Sequence, residues 1–292
     1  MTLRVLVFGK TGQLAAALAT LKQPRLELEF LGRRDAELTD PEACAREVTL
    51  RGGDAVVIAA AYTAVDQAEQ EEDIALCVNA RAPEAIAGAA RRRGIPVIHL
   101  SSDYVFDGES DQPYREADPP RPLNAYGRSK LEGEYRVLQT GARGAILRTS
   151  WVFGPSGKNF VQTMLNAGRR CDELRVVGDQ FGGPTPASAL AHAVLQLASA
   201  CAETRRPMDV FHFQGAPSAS WAEFAERIFL EHASHGHRRP KIVPIPTSEY
   251  PTPARRPRRT VLDCSRIREA HAILQPDWRA DLAQIIPKWT AA

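Results

Sequence analysis

Residues 3–21 read LRVLVFGKTGQLAAALATL. The stretch 3–8 is a short, mostly apolar run with β-branched residues, the pattern of a parallel strand buried on both faces. Gly9 and Gly12 follow at once, and from Gln13 a helical pattern runs through Leu18 and Leu21. The two glycines permit a tight turn and let backbone N–H groups approach a pyrophosphate at a helix N-terminus. Ala15 takes the third small position and allows close helix–strand packing. No Gly-Lys-Ser/Thr closes the loop, so it is not a Walker loop. An ordinary strand–helix turn without a ligand has the same look, and the rest of the chain decides between the two.

Outward from this unit, the run 26–31 reads as a second strand and ends at Gly32-Arg33-Arg34. In a Rossmann unit this end meets the adenosine ribose, and an acidic residue there favours a free 2′-hydroxyl. Two arginines without an acid suggest a 2′-phosphate, or else two solvated side chains in a turn. Asp40 either borders the adenine or caps the helix that starts at Pro41. The run 54–61 ends in Ala59-Ala60-Ala61, small residues that let a cofactor approach the backbone. A long helix containing 77–80 reaches Arg91-Arg92-Arg93 with Gly94 as its C-cap. The strand 95–100 then delivers Ser101-Ser102-Asp103 at its C-terminal end, where chemistry sits in open parallel sheets.

Tyr126 and Lys130 stand four apart in a helix predicted over 125–138, with Asn124 as N-cap and Pro120 and Pro122 keeping the preceding chain extended. Positions i and i+4 share a helix face. A Lys130 ammonium near the Tyr126 phenol would lower its pKa from about 10 and make it a usable proton donor to a carbonyl being reduced. A Ser102 hydroxyl would hold the same oxygen. An amphipathic helix with a surface lysine is the bland alternative. After 145–149, another strand, the alternation βαβα calls for a parallel sheet covered by helices on both sides. The rest is less regular and richer in proline, with a loop at 180–186, helices over 187–200 and 221–231, a strand at 210–213 and an extended segment over 244–257.

Composition bounds the answer further. The 292 residues, 44% hydrophobic and 25% charged, suit a globular chain with a sizeable core. A net charge of +2 calls for neither nucleic acid nor an anionic membrane, and no apolar run is long enough to span one. The N-terminus does not read as a signal peptide. Five scattered cysteines without a CxxC indicate neither a disulfide framework nor zinc and fit a reduced, cytoplasmic setting. His232, His235 and His237 lack metal-site spacing and read as a solvated turn.

Taken together, GKTGQL (9–14), AAAYTAVDQAE (59–69), SSDYVFDG (101–108), LNAYGRSKLEGE (123–134), RTSWVFG (148–154), DQFGGPT (179–185) and YPTPARRPRR (250–259) stand in an order that resembles the dTDP-4-dehydrorhamnose reductases, a family of extended short-chain dehydrogenase/reductases. The resemblance implies an α/β fold: a Rossmann-type doubly wound parallel sheet with a smaller C-terminal substrate-binding domain. Residues 1–150 and about 185–214 would form the NAD(P)-binding part, and 151–184 with 215–292 the substrate part.

It implies reduction by NADPH, with NADH also usable, of the C4 ketone of a dTDP-linked 6-deoxyhexulose, a small-molecule nucleotide-sugar substrate. Tyr126, Lys130 and Ser102 would be catalytic. Gly9, Gly12, Gln13 and Leu14 would line the pyrophosphate, and Ala60, Ala61 and Tyr62 the ribose. Asp103 and Trp151 would lie against the sugar, and Arg256 against the nucleotide diphosphate. Ser102 stands where the family usually has Thr, and Ile58 where it often has Asn. Some members form homodimers helped by Mg2+, for which the motifs assign no ligands here. Two other readings share parts of the pattern. One is a nucleotide-sugar epimerase or dehydratase. The other is an NADP-binding regulatory subunit resembling that of methionine adenosyltransferase.

Overall fold

The computed structural model describes residues 2–204 and 206–290. Met1 and 291–292, the outermost residues of the two expected domain ranges, lie outside the described residues. Strands β1 (Leu3–Phe8), β2 (Leu26–Leu31), β3 (Ala55–Ile58), β4 (Val97–Ser102) and β5 (Gly144–Thr149) join the strand Asp209–His212 in one six-stranded sheet. From one edge the order is Asp209–His212, β5, β4, β3, β1, β2, and every pairing is parallel.

The period of two along each strand splits the core into two layers. Val5, Val7, Val57, Ile98 and Leu100 pack on one face with Leu14, Leu18 and the helix Ala187–Glu203. Leu6, Phe8, Val56, Ile58 and Val97 pack on the other with Val48, Ile86 and Val137. The chain steps from β1 outward to β2 and then back to β3 on the other side of β1. Ligands gather outside the carboxyl ends of strands at such a reversal.

A third cluster lies apart from the sheet. Phe153, from the short strand Val152–Phe153, forms it with Val161, Phe224, Ile228, Phe229, Trp278 and Ile286 from the helices Phe160–Gly168, Trp221–Ser234 and Trp278–Thr290. A parallel pair, Glu173–Val177 with Lys241–Ile245, flanks it. The extended segment predicted over 244–257 is thus partly a paired strand, and its partner at 173–177 carries no pattern that the sequence reading detects.

The segment after Tyr250 runs back across the sheet side as a strap. Asn124 Nδ2 donates to Arg255 O at 2.9 Å, Phe181 N to Arg258 O at 2.7 Å and Thr260 N to Phe181 O at 2.9 Å. Gly108, at a φ of 78°, lies under it: a Cβ there would come within 2.7 Å of Arg258 N.

Candidate active site

The glycine turn lies at the reversal between β1 and β3. Gly9 has a φ of 122°, the left-handed region that suits glycine, and a Cβ on it would meet Ala60 N at 3.1 Å. Ala59 N and Ala60 N both donate to Phe8 O, which holds the small-residue run against the turn. At Gly12, the N-cap of the helix Gln13–Thr20, a Cβ would meet nothing within 4 Å. This helix start therefore faces open space with unspent backbone donors. Gln13 Nε2 donates to Val152 O at 3.0 Å, while its buried Oε1 has no partner among the described residues. Leu14 is buried in the core beneath. A dinucleotide pyrophosphate fits this open helix start.

Tyr62 is tied down by Asn79. Tyr62 N donates to Asn79 Oδ1 at 2.9 Å, and Asn79 Nδ2 donates to Tyr62 O at 3.1 Å and to Ser129 Oγ at 2.9 Å. Ser129 Oγ in turn donates to Tyr126 O at 2.7 Å. One buried amide thus locks the β3 loop to the Tyr126 helix. Asn79 sits in a π-helical turn, Cys77–Arg81, where the long helix expected over this region is interrupted. Such turns recur at functional sites.

The helix Ala125–Gln139 starts as the sequence predicts: Asn124 Oδ1 accepts from Gly127 N at 2.8 Å. The predicted electrostatics differ. Lys130 Nζ donates to the Leu100 carbonyl at 2.6 Å, and burial pushes this lysine down to about 8, with the Glu134 charge pulling it back up. Tyr126 is not lowered by Lys130. Burial pushes its phenol up to about 12, opposed by the Ser102 hydroxyl beside it and reinforced by the Asp103 charge. Desolvation disfavours the charged form of each group and sets the direction of both shifts.

Ser102 Oγ accepts from Tyr104 N at 3.2 Å and donates to Asp103 Oδ1 at 3.1 Å. Asp103 is buried, and its other oxygen accepts from the Thr260 hydroxyl of the strap. Burial pushes the Asp103 carboxyl up to about 7, against the pull of those two hydroxyls. Beneath this end of β4, Ser101 donates to Glu134, which Arg148 grips with Nε at 2.9 Å and Nη2 at 2.6 Å. Arg148 also meets His212 Nε2 at 3.3 Å. Glu134 and Arg148 are both almost fully buried. Sequence reasoning missed this brace, as it missed Asn79.

Trp151 has a φ of 45°, strained for a bulky residue. It is half-buried, stacked on Trp221 with ring centroids 3.3 Å apart, and Gly182 lies against its indole. Arg256 is already engaged. Its Nη1 and Nη2 donate to Asp66 at 2.9 and 2.7 Å, and Nη1 also donates to Thr252 Oγ1 at 2.6 Å. This contact with Arg256 holds the Asp66 carboxyl below the usual range.

Arg33 and Arg34 are exposed after β2, without an ion pair among the described residues. The absence of an acid at this end, expected from Gly32-Arg33-Arg34, is overturned. The chain folds back so that Asp35 Oδ2 accepts from Gly32 N at 2.9 Å. Asp40 is the N-cap of the helix Pro41–Arg51, its Oδ1 accepting from Ala43 N at 2.9 Å.

The chain as a whole has known relatives. Residues 3–291 match the RmlD substrate binding domain family. The chain is 42% identical over 289 residues to a dTDP-4-dehydrorhamnose reductase of Sinorhizobium fredii, covering 97% of each. A crystal structure of a dTDP-4-dehydrorhamnose reductase from Clostridium acetobutylicum superposes with a TM-score of 0.91 at 34% identity, covering 98% of this chain and 99% of that one. Another from Bacillus anthracis, in complex with NADP, gives 0.90 at 31% identity, covering 99% and 100%.

Proposed function

The chain belongs to the dTDP-4-dehydrorhamnose reductase family, and from that premise we propose how its own residues perform the reduction. The enzyme is an NADPH-dependent oxidoreductase of dTDP-rhamnose biosynthesis. It reduces the C4 ketone of dTDP-6-deoxy-L-lyxo-4-hexulose to dTDP-L-rhamnose. The reduced nicotinamide, when bound, supplies the hydride.

The observation that carries the mechanism is the placement of Tyr126: Asn124 caps its helix, Ser129 and Asn79 tie its carbonyl to the β3 loop, and its phenol lies beside the Ser102 hydroxyl at the end of β4. A protonated phenol is the right form to donate to an alkoxide forming at C4. The Ser102 hydroxyl, now turned to Asp103, swings to the same oxygen and stabilises its developing charge. Lys130, fixed by the Leu100 carbonyl, holds the nicotinamide ribose. Gly9, Gly12, Gln13 and Leu14 shape the pyrophosphate seat, and Ala60, Ala61 and Tyr62 the ribose wall. Trp151, half-buried and stacked on Trp221, packs against the deoxysugar. Arg256 offers its charge to the diphosphate from a guanidinium oriented by Asp66.

The sheet with residues 185–214 binds the dinucleotide, and the parts around the third cluster bind the sugar. NADH is accepted less well than NADPH. Five free cysteines suit a reducing, cytoplasmic compartment. Some family members pair as homodimers helped by Mg2+. Among the described residues no three His, Cys, Asp or Glu side chains gather as a metal site, and no step here runs through the ion. Incubating the protein with NADPH and the 4-keto sugar tests this reading. Net loss of NADPH matched by dTDP-L-rhamnose supports it, and recycled cofactor with an epimerised or dehydrated product refutes it.

A further inference from the structure

The end of β2 carries charges of both signs, and their arrangement suggests a division of labour. Asp35 reaches back three residues to Gly32 N, while Asp35 N and Ala36 N donate to Gly32 O at 3.0 and 2.9 Å. This closed turn sets the carboxylate at the strand end itself, where a Rossmann acid accepts from the adenosine ribose. Gly32 leaves the corner free. A Cβ there would lie 3.6 Å from Asp35 Oδ2 and 3.5 Å from Lys10 Cδ, so the carboxylate and the lysine stem meet on one side of the strand. The Asp35 side chain makes one hydrogen bond among the described residues, through Oδ2, which leaves Oδ1 to accept from a ligand. Lys10, Arg33 and Arg34 flank it, exposed and without an ion pair among the described residues.

We propose that Asp35 is a specificity-determining residue that sustains use of the unphosphorylated cofactor: its carboxylate accepts from the ribose 2′- and 3′-hydroxyls of NADH. Lys10, Arg33 and Arg34 supply the opposing preference by meeting the 2′-phosphate of NADPH. A 2′-phosphate gains from the three cations and is opposed by the one carboxylate, whereas a 2′-hydroxyl gains chiefly from the carboxylate. The assignment rests on the dinucleotide site proposed above.

Asp35→Asn is the informative change, because its amide oxygen still accepts from Gly32 N and keeps the turn while the charge is removed. Nicotinamide fluorescence titrations with NADPH and with NADH, on wild type and variant, read affinity without turnover. The variant is expected to lose about tenfold in NADH affinity, roughly one charge-assisted hydrogen bond, and to hold or gain NADPH affinity. An unchanged ratio, or equal losses for both cofactors, overturns the role of Asp35 while leaving the dinucleotide site standing. A wild type that binds neither cofactor overturns the site and Asp35's role together.

Discussion

The ends of β4 and β2 lie on the same carboxyl edge of the parallel sheet, and they are built in opposite ways. At β4, Ser102, Asp103, Lys130, Glu134 and Arg148 are buried and nearly every polar atom is bonded. At β2, Arg33, Arg34 and Asp35 are exposed, and a single turn positions the acid. Burial makes the first end costly to alter and sets its proton chemistry, since desolvation moves Tyr126, Lys130 and Asp103 away from their usual values. Solvent makes the second end tolerant, with charge contributions that water and salt dilute. The contrast matches the roles proposed above, chemistry at the buried end and cofactor choice at the exposed one.

The largest expected effect comes from breaking the β4 brace. Glu134→Gln leaves the Arg148 guanidinium buried without its counter-charge, a change that costs about 3–5 kcal/mol in comparable pairs. Urea unfolding measures it, and the double variant Glu134→Leu/Arg148→Met should recover part of the loss. A single variant as stable as wild type would show that the buried guanidinium does not depend on the Glu134 charge.

A smaller effect is a pH slope. Asp103 ionises near ~3.9 in the unfolded chain but at about 7 in the fold. Between those values the native state holds a proton that the unfolded state has released. Asp103 therefore contributes a loss of stability as pH rises from about 4 to 7. Asp103→Asn should flatten that part of the stability curve, and an identical slope would assign it to other groups.

The smallest effect belongs to β2. Arg33→Ala/Arg34→Ala should lower the NADPH-over-NADH preference in kcat/KM by about tenfold, the lower end for charge-assisted contacts to phosphate because both arginines are exposed. A ratio that does not move would leave both side chains as solvent groups.

The two ends also differ in how far the sequence discloses them. The β1–glycine–helix unit and the Asn124-capped Tyr126 helix depend on neighbours within a few residues, and local pattern reveals them. The brace joins Arg148 to Glu134 across 14 positions and to His212 across 64, and Arg256 reaches Asp66 across 190. Only the folded sheet and strap bring those partners together. Tyr126 and Lys130 were legible as a pair, but their pKa values were not, because i,i+4 spacing says nothing about desolvation. Asp35 is an intermediate case. An Asp three residues after a glycine is a local turn signal that a search for acids at Gly32-Arg33-Arg34 alone passes over.

The claim that the buried end performs the proton transfer is tested most directly by single-turnover mixing of NADPH-loaded enzyme with dTDP-6-deoxy-L-lyxo-4-hexulose, in wild type and in Tyr126→Phe. Loss of the phenolic proton should slow NADPH oxidation by at least ~10²-fold, with NADPH affinity and melting temperature close to wild type. Oxidation at the wild-type rate in the phenylalanine variant would contradict the assignment and move the proton donor away from Tyr126.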